Sequence, residues 1–281
     1  MADLKEISFR QLGTVRCCLG ESPLWDVQRQ CLYFIDIDGK TRFSMDLETQ
    51  TCNTKILPQQ TGCIALCEDG SLLYAMQDGV YRETVDGFVR IHDPFVIAGE
   101  RFNDGAVAPD GSFLVGTTSA SGQGKLYRIA HGVVEVIFEG VGCSNGIDFS
   151  PDGTTMYYID TPTQKVLAYD YPHMQRERLV LDIPQTLGKP DGLCVDSEGI
   201  VYVALYGGGG VLRIRDGALY AEKWDLPVKN VTCPAFCGKE LDVLVVTTAR
   251  ETGTRMPNKP DGGVFFALGA GKGKESYRYQ F

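Results

Sequence analysis

The sequence has little positive charge. Its 281 residues include 27 Lys or Arg against 36 Asp or Glu, which gives a formal net charge of −9. Nucleic acids and anionic membranes are bound by basic surfaces, so this balance argues against either partner. No apolar run approaches the length that spans a bilayer, and Met1–Glu6 lacks the apolar core of a signal peptide. We therefore expect a soluble, unsecreted protein of the cytoplasm.

Histidine is also scarce, with three copies, His92, His131 and His173. All three fall in predicted outer strands or hairpins, which argues against a histidine zinc site or a Ser-His-Asp triad. The glycine run at 207–210 lies between two predicted strands and precedes no helix, so it is not a phosphate-binding loop. No amphipathic helix of convincing length is present, which points to an all-β chain.

Cysteine is abundant, with ten copies, but its spacing does not favour disulfides or zinc. Cys63 and Cys67 are four residues apart in one predicted strand, and Cys233 and Cys237 repeat this spacing. At a rise of ~3.3 Å per residue such a pair is about 13 Å apart, too far to bridge or to share a metal. We expect most of the cysteines to be buried, reduced thiols.

What the sequence does contain is a repeat of short strands that end in turns. The stretch from Ser144 to Gly153 is typical: a polar start, a strand with apolar residues two apart, and a Pro-Asp-Gly turn. Counting eight residues back from each such turn glycine, and adding the matching Glu21, gives six aligned positions: Glu21, Gly62, Asn103, Asn145, Asp191 and Asn230. Their spacings of 41, 41, 42, 46 and 39 residues match the period of ~40–45 that propeller blades show.

Six units of about 42 residues account for nearly the whole chain. The sequence therefore predicts one domain over residues 1–281, a six-bladed β-propeller with four-stranded antiparallel blades. The last blade is one strand short, and Ile7–Val15 is the natural strand to complete it and close the ring. The tail Lys274–Phe281 is the competing candidate for that place.

The six aligned positions begin the inner strands, so they should surround one mouth of the central channel. Five of the six carry oxygen-bearing side chains, two carboxylates and three carboxamides, a set suited to a hard divalent cation. Two converging carboxylates repel each other without a counter-ion. The alternative is turn chemistry, because Asp and Asn often bond to nearby backbone at strand starts. Glu21 favours the shared site, since Glu is a poor turn residue.

The segment Arg101-Phe102-Asn103-Asp104-Gly105 adds a second cue. Arg101 stands two residues before a channel position and could bind substrate oxygens, or it could be a surface arginine paired to an acid. Asp104 is either a substrate group or a buried carboxylate bonded to backbone.

At these residues the chain resembles the SMP-30/gluconolactonase/LRE family of six-bladed sugar lactonases. The matching pieces run in order along nearly the whole chain: Gly20-Glu21-Ser22-Pro23-Leu24-Trp25, Arg101-Phe102-Asn103-Asp104-Gly105, Ser144-Asn145-Gly146, Tyr158-Ile159-Asp160, Pro190-Asp191-Gly192 and Gly262-Gly263-Val264-Phe265. The resemblance implies a divalent metal held by Glu21, Asn145 and Asp191. It also implies substrate contacts from Arg101 and Asn103, hydrolysis of a lactone ring, and a second role for Asp191 as the catalytic base.

One departure bears on the substrate. Some members of this family carry a substrate-contacting acid after the Gly-Thr of blade three, whereas the segment Gly116–Ser121 has none here. This favours an aldonolactonase of bacterial style. The sequence leaves open which lactone is used, whether the metal is calcium, zinc, magnesium, manganese or iron(II), and the oligomeric state. Two rival readings are an ester or organophosphate hydrolase on the same site and a propeller that serves as a binding scaffold without catalysis.

Overall fold

A computed structural model of the protein describes residues 7–93, 100–216, 221–251 and 260–281. The described chain is almost entirely β-structure, with two short 3₁₀ turns at Thr161–Thr163 and Gln185–Leu187. Its strands, in chain order, are β1 (Arg10–Leu12), β2 (Gly20–Asp26), β3 (Cys31–Asp36), β4 (Thr41–Met45), β5 (Cys52–Ile56), β6 (Thr61–Leu66), β7 (Leu72–Met76), β8 (Gly79–Thr84), β9 (Gly87–His92), β10 (Arg101–Val107), β11 (Phe113–Thr118), β12 (Gly124–Ala130), β13 (Val133–Val141), β14 (Ser144–Phe149), β15 (Thr155–Asp160), β16 (Lys165–Asp170), β17 (Arg178–Asp182), β18 (Lys189–Val195), β19 (Ile200–Tyr206), β20 (Gly210–Arg215), β21 (Glu222–Asp225), β22 (Val231–Cys237), β23 (Val243–Thr248) and β24 (Val264–Leu268). Among these residues no helix is long and apolar enough to cross a membrane.

The strands form six antiparallel sheets of four strands each. Five sheets follow chain order, β2 to β5, β6 to β9, β10 to β13, β14 to β17 and β18 to β21, and we number them blades 1 to 5. The first strand of each blade contacts the first strand of the next, so that β2, β6, β10, β14, β18 and β22 surround a common axis. The predicted six-bladed propeller is therefore confirmed.

Blade 6 is completed by the strand nearest the chain start. Its order is β22, β23, β24 and β1, with Arg10 opposite Phe266 and Leu12 opposite Val264. The predicted closure is confirmed, but the pairing covers only Arg10–Leu12 of the predicted Ile7–Val15. Gly13 follows with a positive φ of 61°, which turns the chain away from the sheet and ends the pairing.

The rival closing segment, Lys274–Phe281, does not fill that place. The tail from Lys272 onward crosses the far end of the channel and contacts every blade. Backbone hydrogen bonds join it to blades 5, 6, 2 and 3: Ser197 N to Lys272 O, Gly273 N to Leu241 O, Tyr279 N to Leu66 O, and Gln280 N to Gly111 O. Side chains reach the other two blades, because Lys274 pairs with Asp148 and Arg278 pairs with Asp26. We call this the tail end of the channel, and the opposite opening the mouth.

The apolar core is divided among the interfaces between neighbouring blades. Buried side chains form six clusters, and each cluster joins two adjacent blades. Phe113 in blade 3 packs with Leu73 in blade 2, for example, and Tyr158 in blade 4 packs with Leu126 in blade 3. Because every cluster needs two blades, the burial that stabilises any one blade depends on its neighbours.

All ten cysteines are free. Five are buried, four are partly buried and one is exposed, which agrees with reduced thiols that pack as apolar residues. The adjacent cysteines, Cys17 and Cys18, are held by hydrogen bonds of their backbone amides and not by their thiols. Cys17 N donates to Gly262 O and Cys18 N donates to the Asp36 carboxylate, so this segment ties blade 1 to blade 6.

Candidate functional site

The six aligned positions lie at the same end of the six inner strands. Glu21, Gly62, Asn103, Asn145 and Asp191 are the second or third residue of β2, β6, β10, β14 and β18. Asn230 directly precedes β22. The structure therefore places the whole predicted set around the mouth.

Every inner strand has a β-bulge beside its aligned position. The pairing register shifts directly after Glu21 in β2 and after Asn145 in β14, and Asp191 lies inside the shifted segment of β18. A bulge breaks the regular alternation of side chains along a strand and re-aims them. These six bulges turn side chains of the inner strands toward the mouth.

Glycine at position 62 has a steric reason. A Cβ there would come within 2.3 Å of the Phe102 carbonyl oxygen and 2.5 Å of the Asn103 carbonyl oxygen, distances that no side chain tolerates. The bulge of blade 3 therefore presses against the backbone of blade 2, and position 62 has no room for a side chain. This is why one of the six positions is not polar.

Two carboxylates face the mouth without a cationic partner. Asp191 is 7% exposed and Glu21 is partly buried, and neither forms a salt bridge within the part of the chain that the structure describes. Burial raises the pKa of Glu21 well above its usual value, and the negative charges of Asp191 and Asp104 raise it further. Burial, followed by the charge of Asp104, likewise raises the pKa of Asp191, against the opposing effects of Arg101 and Asn145.

Asp104 is a third acid beside this pair. Burial raises its pKa to about 6, although its Oδ1 accepts a hydrogen bond from Gly105 N at 2.7 Å. Sequence reasoning left this residue between a substrate role and a backbone role. The structure provides the backbone bond and also brings its charge close enough to act on Glu21 and Asp191.

A chain of hydrogen bonds links the remaining mouth residues. Arg101 Nη1 donates to Asn103 Oδ1 at 2.7 Å, and Asn103 Nδ2 donates to Asn145 Oδ1 at 3.1 Å. Asn145 Nδ2 in turn donates to Thr161 Oγ1 at 2.8 Å, and Thr161 donates to the Pro190 carbonyl oxygen at 2.8 Å. Arg101 and Asn103 are thus held at the mouth rather than on the outer surface.

The repeated register includes one position that lies outside this network. It also omits two residues that lie at the mouth. Asn230 Nδ2 donates at 3.2 Å to the carbonyl oxygen of Arg250, a residue 20 positions along the chain, so this bond is not the local turn chemistry considered as an alternative. Thr161 and Tyr206 were not foreseen. Burial raises the pKa of Tyr206, and the charges of Asp191, Asp38 and Glu21 add to it, so its hydroxyl lies near the acids. Neither residue belongs to the repeated register, so no spacing signal could identify it.

The donor set at the mouth fits a hard divalent ion. Within the described residues no three His, Cys, Asp or Glu side chains form a metal-binding group, so Glu21 and Asp191 would need the carboxamide of Asn145 as their third partner. Asn145 Oδ1 accepts one bond from Asn103, and a carboxamide oxygen has two lone pairs, so one remains. The two unpaired carboxylates raise each other's cost of ionisation, and a divalent ion would remove that cost.

Comparison with known proteins gives consistent matches along the chain. Residues 19–250 match the model of the SMP-30/gluconolactonase/LRE-like region. A pentonolactonase of Haloferax volcanii is 34% identical over 261 residues, covering 90% of this chain and 89% of that protein. A 6-deoxy-6-sulfogluconolactonase of Pseudomonas putida is 33% identical, covering 83% of this chain and 84% of that protein. The crystal structure of regucalcin from Agrobacterium tumefaciens, described as a calcium-binding protein, superimposes with a TM-score of 0.91 at 27% identity, covering 98% of both chains.

Proposed function

Because the chain belongs to the SMP-30/gluconolactonase/LRE-like family, we propose that it hydrolyses a sugar lactone to the free aldonic acid with the help of one divalent metal ion. Two relatives that align over more than four fifths of the chain are named for lactone hydrolysis, one for a pentonolactone and one for a sulfogluconolactone. Their substrates differ but share the sugar lactone ring. A further neighbour is described as calcium-binding, which supports a divalent ion.

The proposal rests on two carboxylates, Glu21 and Asp191, which lie beside the amide of Asn145. Neither forms a salt bridge among the described residues. A scaffold that only binds a partner has no need to bury two converging acids at one mouth, because their repulsion lowers the stability of the fold. Glu21, Asn145 and Asp191 would hold the metal. A bound divalent ion supplies Lewis acidity toward the carbonyl of the lactone.

The chain's own residues supply the rest of the chemistry. Asp191 acts as the general base and accepts a proton from the attacking water. Arg101 and Asn103, tied together at 2.7 Å, bind and orient the sugar hydroxyls. Asp104, whose pKa is raised by burial to about 6, is a second proton-carrying group near the same mouth.

The test is a comparison of substrates and metals on one preparation. The purified protein is stripped with a chelator, reloaded with calcium, zinc, magnesium, manganese or iron(II), and assayed by proton release. The substrates are glucono-, galactono-, xylono- and arabino-lactones, with an aryl ester and an organophosphate as rivals. We expect lactone opening that is lost on chelation and returns with one or more ions. Full turnover by the metal-free protein would overturn the metal assignment, and turnover of the ester or organophosphate alone would overturn the lactonase assignment.

A further inference from the structure

A large groove lies between blades 4, 5 and 6, beside the mouth. We call it the side groove; its volume is about 720 Å³, and residues that line it include Thr161, Gln164, Lys189, Tyr206, Lys229 and Asn230. This volume is in the range of ligand sites and is more than one sugar ring fills. Arg101 and Asn103 are on blade 3, which neighbours blade 4, and neither residue lines the groove.

The side groove shares a wall with the candidate site. Thr161 Oγ1 accepts the hydrogen bond from Asn145 and donates to Pro190, the residue before Asp191. Tyr206 faces the groove and its pKa responds to the charges of Asp191 and Glu21. A molecule whose carbonyl lies at the acids can therefore extend past Thr161 and Tyr206 into the groove.

Several residues that line the groove are held in place by hydrogen bonds and backbone pairing. Gln164 Nε2 donates to the carbonyl oxygens of Ile183 at 3.2 Å and Gly188 at 3.1 Å, which fixes both its own amide and the loop leading into β18. Asn230 is 8% exposed and its amide is bonded to the Arg250 carbonyl. Tyr206 is bridged to Asn230 through backbone, which joins the blade 5 wall to the blade 6 wall.

The charge of the groove is opposite to that of the mouth. Its lining includes two lysines and one glutamate, in a chain whose formal net charge is −9. Lys189 forms no ion pair among the described residues, and Lys229 Nζ lies 3.6 Å from Glu251 Oε1 with 64% of its side chain exposed. Lysine ammonium groups bind phosphate and carboxylate as point charges, and an acidic protein otherwise repels such groups.

We propose that the side groove is a second substrate subsite, which binds an anionic group at the end of the sugar chain remote from the lactone carbonyl, through Lys189 and Lys229. The inference rests on the proposed function, because it takes the lactone carbonyl to lie at Glu21 and Asp191. The preferred substrate class is then an aldonolactone with a phosphate or a carboxylate on its terminal carbon, and neutral aldonolactones are poorer substrates.

Binding of the open-chain products tests the groove without relying on turnover. Calorimetric titration compares gluconate, glucarate and 6-phosphogluconate, which carry at the terminal carbon a hydroxyl, a carboxylate and a phosphate. We expect the wild type to prefer one or both of the doubly acidic compounds over gluconate by roughly tenfold for each lysine engaged. This preference should shrink as salt is raised. The two doubly acidic probes distinguish a carboxylate from a phosphate as the terminal group.

The matched variants are Lys189→Gln with Lys229→Gln, against Lys239→Gln, an exposed lysine of the tail end. The double variant should bind gluconate as the wild type does and lose the preference for the anionic probes, mainly as a higher KM when the corresponding lactones are assayed. The control should change nothing. Equal affinity of the wild type for all three probes, or an equal loss for all three in the double variant, would overturn the subsite. Preference for the anionic probes without turnover of any lactone would support the subsite and overturn the proposed function alone.

Discussion

The two ends of the central channel use the same kinds of acids in opposite ways. At the tail end the acids are paired: Asp26, whose side chain is fully buried, is bonded to Arg29 and Arg278 at 2.9 Å each, and Asp148 is bonded to Lys274. At the mouth Glu21 and Asp191 have no such partner among the described residues. Between the two ends lies a cavity of about 130 Å³.

The pKa values follow this division. Burial raises the pKa of Asp26, but hydrogen bonds from Arg29 and Arg278 outweigh it and the net shift is downward. At the mouth burial is reinforced by neighbouring acids, so the pKa values of Glu21 and Asp191 rise. At the tail end, therefore, cationic side chains of the protein itself neutralise the buried acid. At the mouth no ion pair among the described residues does the same for Glu21 and Asp191.

The largest expected effect is at Asp191, where we propose that metal binding and proton transfer coincide. Asp191→Asn keeps the size of the side chain and one oxygen but removes its charge and basicity. We expect weaker metal binding and, at saturating metal, a fall in kcat of about 10²–10⁴-fold. Metal titration followed by lactone opening measures both quantities.

Glu21→Gln is the matched control for Asp191→Asn, because it removes a neighbouring charge from the same pair. It should weaken metal binding but lose much less kcat once metal is restored. An Asp191→Asn protein that keeps wild-type turnover without added metal would mean that Asp191 only starts the Pro190-Asp191-Gly192 turn, which Asn serves equally well.

A smaller loss is expected from the pair on blade 3. Arg101→Ala and Asn103→Ala should each lower kcat/KM about tenfold to a hundredfold, since each removes a charge-assisted or polar contact to the substrate. The metal content should stay at the wild-type level, measured by elemental analysis of the same samples. Loss of the metal in either variant would instead assign that residue to the metal site, since Asn103 is bonded directly to Asn145.

At the tail end the corresponding change affects stability and not catalysis. Arg278→Met removes the more buried of the two partners of Asp26, and we expect the free energy of unfolding to fall by about 1.5 kcal/mol. Arg29→Met, whose side chain is 49% exposed, is the control and should cost less. Urea titration measures both variants, and kcat at saturating metal should be unchanged. A drop in kcat for Arg278→Met would show that the two ends are not independent.

The smallest effect concerns pH. Burial raises the pKa of Asp110, but hydrogen bonds from Ser112, Arg128 and Tyr171 bring it from 3.8 to about 2. The stability this carboxylate contributes is therefore present above pH 3.8 and is lost as the pH falls toward 2. Asp110→Asn should cost about 1 kcal/mol at neutral pH, after allowance for solvent screening.

The pH prediction is measured as the difference in unfolding free energy between wild type and Asp110→Asn, followed downward from pH 6. We expect the difference to narrow as the solution becomes more acidic. The exposed Asp242, changed to Asn, serves as the control and should show no such trend. A difference that stays constant across the range would mean that Asp110 acts through its size and not its charge.

The repeat made most of the fold predictable from the sequence. A turn glycine eight residues after the aligned position marks the inner strand of blades 2 to 6, Glu21 marks that of blade 1, and the missing strand of blade 6 pointed to β1. Strand ends were less predictable, because the pairing of β1 depends on the turn at Gly13. The tail was harder still, since its contacts with the six blades are made by scattered backbone groups and two side chains that carry no periodic signal.

The candidate site divides in the same way. Glu21, Asn145 and Asp191 belong to the six positions of one register, which the structure brings to one mouth, but it was the family resemblance and not the spacing that singled out these three. The bulges that re-aim them were not foreseen, because a bulge depends on the partner strand as much as on its own residues. Thr161 lies in a 3₁₀ turn outside the repeat, and its bond to the Pro190 carbonyl oxygen, which links Asn145 of blade 4 to blade 5, forms only when these two blades pack together.

The pairing of β1 with β24 has a consequence for how the protein is made. On a ribosome β1 emerges first, yet its partner, Val264–Leu268, emerges more than 250 residues later. Until then β1, the outer strand of blade 6, has no partner and the ring cannot close, so the growing chain exposes sheet edges that are prone to aggregate. Blades 1 to 5 can form as they are synthesised, because each is a local meander. Completion of the ring is therefore a late, long-range event, and the tail follows it by only a few residues.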